Sequence, residues 1–221
     1  MRFLIRSLLP AEQIAAWRGQ LLAPGVDWRP GRETAGWHAR TVKNNRQLEK
    51  ESALHQLLAA QVSTALLRHP LAASAALPTG IHGLLFSRSG VGEGYGRHVD
   101  NAFMVGGRSD LSFTLALSDQ DSYGGGSLVL ESPGGEEAIR LAAGDVIVYP
   151  STLLHRVEPV SAGERLVCVG WIQSRIRSAE QRELLFELDT ARRSLFSEQG
   201  KSENFDLISR SYTNLLRMWG E

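Results

Sequence analysis

Two polar residues, His98 and Asp100, interrupt the segment EGYGRHVDNAF, which otherwise has the composition of a β-strand. Residues two apart in a strand point to the same face, so the imidazole and the carboxylate are expected to converge. Both groups are common metal ligands, although two protein ligands rarely suffice to hold an ion. The pair predicts a metal site that needs a third ligand; a structural His–Asp hydrogen bond is the alternative interpretation.

His155 is the histidine best placed to supply this third ligand. It follows a predicted strand in VIVYPSTLLHRVEPV and has apolar sequence on both sides. Two histidines and one aspartate on one face of a metal form the facial triad of non-haem Fe(II) oxygenases. A satisfied core histidine is the alternative. The other histidines have different predicted settings, namely His38 in a polar connector, His55 and His69 on or at the end of a surface helix, and His82 at the start of a strand.

Arg165 opens the strand RLVCVGWIQ, ten residues after His155. Alternation along a strand places Arg165 on the same face as Val167, Val169 and Trp171. A guanidinium on an inward, apolar face needs a partner, and the carboxylate of a bound ligand matches its planar fork. The alternative for Arg165 is a surface ion pair with Glu158 or Glu164.

The region that carries these residues is predicted to consist of short strands. Candidate strands lie at 81–88, 93–99, 110–118, 126–131, 137–141, 145–149, 154–160 and 165–174. The turn sequences YGGGS, SPGGE, AAGD and SAGE separate the later ones, a pattern typical of a sandwich or a jelly-roll barrel. The second and seventh strands of a jelly roll are neighbours, which would bring His155 to His98 and Asp100.

Helices are predicted on both sides of this region. PAEQIAAWRGQLL and ESALHQLLAAQVSTALLRHP have apolar residues at helical spacing, and Pro70 is expected to end the second helix. These two helices are expected to cover one outer face of the barrel. After the strands, Ser178 and Ser202 are candidate N-caps and Gly200 is a candidate helix stop. The last two helices are predicted to form a hairpin, either docked on the barrel or used for self-association.

The predicted fold is therefore α+β, an eight-stranded double-stranded β-helix (jelly roll) flanked by N-terminal helices. The predicted domain covers residues 1–175, with its strand core at about 79–175, and residues 176–221 form a helical extension.

Composition excludes some function classes. The 221 residues contain 24 basic and 24 acidic side chains, whereas a generic nucleic-acid binder needs a positive excess. The single cysteine, Cys168, lies in an apolar run and is predicted to be a buried, inert thiol. No apolar window is long enough to cross a membrane. We therefore expect a cytoplasmic protein that binds neither nucleic acid nor membrane.

With these residues in place, the chain resembles the bacterial PKHD-type hydroxylases, 2-oxoglutarate- and Fe(II)-dependent dioxygenases related to prolyl and lysyl hydroxylases. The segments that carry the resemblance are GRETAGWHARTVKNNRQL, YGRHVDNAF, RSDLSFTLALS, YGGGSLVL, AGDVIVYPSTLLHRVEPVSAGER and WIQSRIR. The resemblance implies His98, Asp100 and His155 as catalytic iron ligands and Arg165 as the anchor of the 2-oxoglutarate carboxylate. It also implies Fe(II), 2-oxoglutarate as co-substrate and O2, with ascorbate as a candidate reductant.

The sequence departs from the relatives in the co-substrate pocket. Eukaryotic prolyl hydroxylases place an aromatic residue near the end of the strand LSFTLALS, where this chain has small and aliphatic residues. Related hydroxylases carry a tyrosine in the strand before the His-x-Asp motif, where this chain has Arg88 and Ser89. Ser112 and Thr114 are the candidate replacement hydroxyl donors. Tyr95 and Tyr149 are expected to pack rather than react. Two further questions stay open. Arg88 and Arg97 are either holders of a charged substrate or exposed surface arginines, and VKNNRQ is a lid, a cleft wall or a solvated loop.

The implied reaction is hydroxylation of a C–H bond on a small molecule or on a peptide or protein, with release of succinate and CO2. Two other classes stay open, a divalent-metal enzyme without oxidative chemistry and a cupin-like protein that binds or senses iron, oxygen or 2-oxoglutarate. Neither rival needs a dicarboxylate anchor, so Arg165 favours the oxygenase. A homo-oligomer formed through the C-terminal helices is a further expectation.

Overall fold

Two antiparallel β-sheets form the centre of this computed structural model, which describes residues 1–34, 36–37 and 39–221. The strands in this part of the chain are β1 (Phe3–Ile5), β2 (Trp28–Pro30), β3 (Lys43–Asn44), β4 (Arg46–Leu48), β5 (Pro78–Ser89), β6 (Gly94–His98), β7 (Phe103–Met104), β8 (Gly107–Arg108), β9 (Leu111–Ala116), β10 (Tyr123–Gly125), β11 (Leu128–Ser132), β12 (Gly135–Ile139), β13 (Val146–Pro150), β14 (His155–Val157), β15 (Val160–Gly163) and β16 (Arg165–Ser174). The helices are α1 (Ala11–Leu21), α2 (Ala53–Arg68), α3 (Pro70–Ala76), α4 (Ala179–Gln199) and α5 (Glu203–Trp219), and short 3₁₀ helices lie at Gly31–Thr34, Ala39–Thr41 and Gln120–Ser122.

The larger sheet has seven strands in the order β1-β13-β9-β16-β5-β4-β2, and the smaller has five in the order β12-β11-β14-β6-β3. Each predicted strand segment overlaps one of these strands, and β6 pairs with β14 as the predicted second and seventh strands should. The prediction for 154–160 is wrong in its extent. This segment divides into β14 and β15, and β15 pairs with β10 instead.

The polar connector between the first two helices contains strands that the sequence pattern did not reveal. Its strands β2 and β4 extend the larger sheet beyond β5, whereas β3 pairs with β6 at the edge of the smaller sheet. The connector therefore joins the two sheets on one side of the space between them. His38 lies outside the described residues.

Helices α1 and α2 cover the outer face of the larger sheet, as predicted. Their buried residues share one apolar core with sheet residues such as Phe86 and Cys168. His55 lies on the outer helix α2, as predicted, but its side chain is buried and its Nε2 lies 3.0 Å from the Leu84 carbonyl oxygen. Pro70 follows the end of α2, and it also begins α3, which the sequence pattern did not predict.

The C-terminal helices pack against each other, and α4 contacts α3. Their caps are those that the sequence indicated: Ser178 Oγ accepts from the Gln181 backbone N–H, and Ser202 Oγ accepts from that of Phe205. Tyr212 of α5 is buried in a small apolar core that also includes residues of α4 and of the segment before it. The domain boundary and self-association through this hairpin stay predictions. Within the described part of the chain, no helix has the length and apolar character needed to cross a bilayer.

Candidate active site

A cavity lies between the two sheets and is lined by residues from both of them. The smaller sheet contributes His98 and His155, and the larger sheet contributes Arg165. Val167, Val169 and Trp171 line the same cavity, which confirms that this face of β16 points inward. A cation thus enters an interior that is otherwise apolar along this strand.

His98 and His155 lie directly opposite each other in the register of β6 and β14. Side chains of directly opposed residues project from the same face of a sheet, and here the ring centroids are 4.2 Å apart. Asp100 follows β6, and its carboxylate oxygens lie 3.9 Å from His98 Nε2 and 3.8 Å from His155 Nε2. These separations exceed hydrogen-bond length, so the three groups converge without bonding to one another.

The backbone fixes which nitrogen of each histidine points into the cavity. His98 Nδ1 lies 2.8 Å from the Gly96 carbonyl oxygen, and His155 Nδ1 lies 3.0 Å from that of Leu153. A carbonyl only accepts, so each Nδ1 carries the proton and donates. Each Nε2 then presents its lone pair towards Asp100, which is the tautomer that a metal ligand needs.

Burial keeps the first of these histidines uncharged. Removal from water and then the adjacent His155 lower the pKa of His98 to about 4. The imidazole is therefore neutral at neutral pH and requires no deprotonation before it binds an ion.

Asp100 is held by a hydroxyl from the opposite sheet. Ser112 of β9 donates from Oγ to Asp100 Oδ2 at 2.6 Å, and Ser151 Oγ lies 2.8 Å from Ser112 Oγ. Because Ser112 gives its only proton to the carboxylate, Ser151 is the donor in the second bond. The chain of hydroxyls sets the orientation of the carboxylate, whose Oδ1 lies 3.9 Å from His98 Nε2.

Arg165 is 6% exposed and is not part of an ion pair within the described residues. Burial lowers the pKa of this guanidinium, and the neighbouring Tyr123 hydroxyl opposes that effect only in part. The alternative of a surface pair is wrong, because Glu164 accepts from Arg88 and Glu158 lies beyond ion-pair distance. A buried cation without a counter-charge is costly, so the site is suited to a ligand that brings a negative charge.

Gly126 lets the chain pass close to this arginine. Its φ is +65°, and a Cβ at this position would lie 3.0 Å from Arg165 Cδ and 3.1 Å from the Tyr123 ring. The YGGGS segment, which the sequence indicated only as a turn, therefore packs along the aliphatic part of Arg165.

Hydroxyl groups near Arg165 differ in part from those expected. Ser112 is turned towards Asp100, so its assignment to the co-substrate pocket has no support here. Thr114 and Tyr149 both line the cavity, and the charge of Arg165 acts on the Tyr149 hydroxyl. Tyr149 also meets the His155 ring edge-on at 5.4 Å between centroids. Tyr149 thus lies near both Arg165 and His155.

The cavity has a polar wall, for which the sequence offered one candidate segment without naming the residues that line it. The connector segment VKNNRQ forms this wall, where Lys43, Asn45 and Gln47 line the cavity. Of the interpretations left open for this segment, the cleft wall is the one that the structure supports. The two arginines considered as substrate holders are instead paired with glutamates, Arg88 with Glu164 and Arg97 with Glu131.

Two family models match the chain. The first describes the 2OG-Fe(II) oxygenase superfamily and matches residues 84–173, which include His98, Asp100, His155 and Arg165. The second describes the C-terminal domain of PKHD-type hydroxylases and matches residues 180–221, the region of α4 and α5.

Curated relatives match over nearly the whole length. A PKHD-type hydroxylase of Acaryochloris marina is 54% identical over 217 residues, 98% of each chain. One of Prochlorococcus marinus is 51% identical over 220 residues, 100% of each chain.

Solved structures show the same fold at low sequence identity. A prolyl-4-hydroxylase of Pseudomonas putida is 23% identical, with a TM-score of 0.59 over 79% of this chain and 92% of its own. HygX of Streptomyces hygroscopicus, solved with nickel, 2-oxoglutarate and hygromycin B, is 14% identical, with a TM-score of 0.57 over 78% of this chain and 82% of its own.

Proposed function

Because this chain belongs to the PKHD-type hydroxylases, enzymes of the 2OG-Fe(II) oxygenase superfamily, we propose that it uses Fe(II), 2-oxoglutarate and O2 to hydroxylate a C–H bond. The products from 2-oxoglutarate are succinate and CO2. The observation that carries this proposal is the convergence of two histidines and one aspartate beside a buried arginine that lacks a counter-ion.

The three converging residues fit an iron site. One ligand atom from each of His98, Asp100 and His155 lies within 4.8 Å of the others. Two neutral imidazoles and one carboxylate on one side of an ion form the facial set that suits non-haem Fe(II) and leaves positions free. We assign these three residues as the iron ligands. Ser112 supports the set by orienting Asp100.

Arg165 is assigned to the far carboxylate of 2-oxoglutarate. A guanidinium binds a carboxylate through two parallel hydrogen bonds, and burial makes this pairing stronger than it is in water. Tyr149 and Thr114 line the same cavity as Arg165 and His155, and their hydroxyls are the additional donors that we assign to the co-substrate. They replace the tyrosine that related enzymes carry where this chain has Arg88 and Ser89.

The bound iron and 2-oxoglutarate supply the oxidising chemistry, and the protein supplies geometry and exclusion of water. His98 and His155 hold their tautomer through backbone carbonyls, so their ligand atoms stay aimed at one point. Val167 and Val169 present apolar surface to the cavity beside Arg165. Ascorbate is the reductant that we propose for restoring Fe(II) after turnover without a substrate.

We further propose that the two sheets are the two faces of a jelly roll. This finer description is supported by the pairing of β6 with β14 and by the order of strands in each sheet. The candidate ligands lie on the smaller sheet and the candidate anchor on the larger, so the proposed reaction takes place between the sheets.

The test is turnover of 2-oxoglutarate by the Fe(II) protein, measured as succinate formed and O2 consumed. Pools of metabolites and peptides are screened for those that accelerate turnover. Asp100→Asn is expected to abolish succinate formation, because it removes the anionic ligand. Asp206→Asn, on the exposed surface of α5, is the matched control and should retain activity. Wild-type protein that forms no succinate with any pool would contradict the proposal.

A further inference from the structure

Lys43 is a buried cation on the opposite side of the candidate iron site from Arg165. It is 8% exposed, and among the described residues no carboxylate lies within ion-pair distance of its ammonium group. Thr34 Oγ1 accepts one hydrogen bond from Nζ at 3.0 Å. A lysine ammonium carries three donors, and within the described part of the chain Thr34 accepts from one of them, which leaves donors for a ligand.

The pairing of β3 with β6 places the Lys43 side chain near the candidate metal ligands. Lys43 lies opposite Tyr95 in the register of β3 and β6, and Nζ sits 5.1 Å from the centre of the Tyr95 ring. That ring stacks on His98 with a centroid separation of 3.6 Å. Lys43 is therefore separated from the candidate iron site by one aromatic ring.

Close packing of the backbone holds β3 in this position. The Gly96 N–H donates to the Val42 carbonyl oxygen at 2.8 Å, and a Cβ on Gly96 would lie 2.7 Å from Val42 Cβ. The glycine lets the two strands approach closely, so the lysine next to Val42 is fixed over the cavity rather than mobile on a surface.

Lys43 and Arg165 flank the candidate iron site from different sides. Arg165 lies near Tyr149, which contacts His155, whereas Lys43 lies over Tyr95, which contacts His98. One cation is thus on the His155 side and the other on the His98 side. A single bound 2-oxoglutarate held by Arg165 leaves Lys43 for another ligand.

The balance of charges in the cavity also indicates that Lys43 is available to another ligand. In the proposed complex, the positive charges of Fe(II), Arg165 and Lys43 would exceed the negative charges of Asp100 and the dianionic co-substrate by one. One positive charge inside the cavity is then left unmatched. A buried charge of this kind is costly unless an opposite charge joins it, and a single carboxylate would balance it.

This inference rests on the proposed function: we infer that Lys43 is a substrate-binding residue and that the substrate carries a carboxylate. Asn45 and Gln47 line the same wall and offer amide groups to the rest of the substrate. Lys43 acts as a specificity-determining group, because it attracts a carboxylate and disfavours a cationic substrate.

Burial lowers the pKa of Lys43 to about 8, and the charge of Asp100 opposes this effect. An anion that pairs with Nζ stabilises the charged form of the lysine. An opposite charge at ion-pair distance raises the pKa of such a group by about 1 unit or more. The pairing can therefore be read from the titration of this one lysine.

The test uses wild-type protein labelled with ¹³C-lysine and loaded with Zn(II) and 2-oxoglutarate. The chain has three lysines, Lys43, Lys50 and Lys201, so three side-chain signals are expected, and Lys43→Met identifies one of them. Acetate is the probe, with acetamide as the uncharged control and chloride at matched ionic strength. We expect acetate alone to raise the pKa of Lys43 by about 1 unit and to leave the exposed lysines unchanged.

Two results would overturn the inference. One is a Lys43 signal that acetate does not move, or moves no more than chloride does. The other is an affinity for 2-oxoglutarate that falls by about tenfold or more in Lys43→Met, because Lys43 would then serve the co-substrate. The matched control is Lys50→Met. Failure of the proposed function would show separately, as unchanged 2-oxoglutarate affinity in Arg165→Met.

Thermal stability tells a binding residue from a structural one. If Lys43 serves only packing, its replacement by methionine should lower the melting temperature. If it is kept for an absent anion, Lys43→Met should retain or raise the melting temperature, since an unpaired buried charge has been removed. Acetylglycine and the peptide acetyl-Gly-Asp-Gly-amide, used in the same titration, then distinguish a small carboxylate from a peptide side chain.

Discussion

Ser112 Oγ donates to Asp100 Oδ2 at 2.6 Å, and this bond joins the two sheets at the candidate metal centre. Asp100 follows β6 of the smaller sheet, and Ser112 belongs to β9 of the larger one. The orientation of the only acidic group among the converging three is therefore set from across the cavity.

Removing this hydroxyl should weaken metal binding without unfolding the protein. Ser112→Ala leaves Asp100 free to rotate, and loss of such an outer partner typically lowers metal affinity by about 10–100-fold. The measurement is a titration with Fe(II) or Co(II) under nitrogen. Ser109→Ala is the matched control, since Ser109 is also buried but its hydroxyl has no partner. Equal affinities for the two variants would show that the Ser112 bond does not orient Asp100.

Gly126 is expected to be needed for co-substrate affinity as well as for stability. Gly126→Ala adds a Cβ 3.0 Å from Arg165 Cδ at a φ of +65° and should displace the guanidinium. The left-handed backbone alone costs roughly 1–2 kcal/mol in unfolding free energy. Gly25→Ala carries similar strain at a φ of +85° with nothing within 4 Å of its Cβ. Urea unfolding should therefore show a loss for both variants, whereas calorimetry should show weaker 2-oxoglutarate binding for Gly126→Ala alone.

His55 should make the protein less stable in mild acid. Burial lowers the pKa of this histidine below its ordinary value of 6.5. Above that pH both the folded and unfolded states hold it neutral, so it contributes no pH dependence. As the pH falls below 6.5, the unfolded chain takes up the proton first, and the free energy of unfolding decreases.

The slope from this one group is at most about 1.4 kcal/mol per pH unit. His55→Gln keeps a donor for the Leu84 carbonyl oxygen but does not titrate. Chemical denaturation between mildly acidic and neutral pH should give a shallower decline for the variant. An unchanged slope would mean that His55 is protonated as easily in the folded state as in the unfolded chain.

The pattern of the sequence predicted those features that depend on local spacing. His98 and Asp100 share a face because they are two apart in an extended segment, and Arg165 points inward because β16 alternates. The helix caps Ser178 and Ser202 were also predictable from the sequence, because their hydrogen bonds reach only three residues along the chain.

The sequence pattern did not predict features that depend on pairing between segments far apart in the chain. Lys43 lies in a polar segment without periodicity, and it reaches the cavity only because β3 pairs with β6 beside Gly96. Helix α2 shows the same limit. Its apolar residues are spread around more than one face, so spacing alone did not show that His55 is buried while Leu57 is 53% exposed.

The most direct test of the iron and 2-oxoglutarate assignment is an anaerobic titration of the Fe(II) protein with 2-oxoglutarate, followed by visible absorption. Chelation of Fe(II) by the keto acid gives a weak charge-transfer band, so the wild-type protein should develop this band to saturation. Arg165→Ala should lack the band at the concentration that saturates wild type, because the far carboxylate has lost its partner. No band from wild-type protein, or an equal band at equal concentrations in Arg165→Ala, would contradict the assignment.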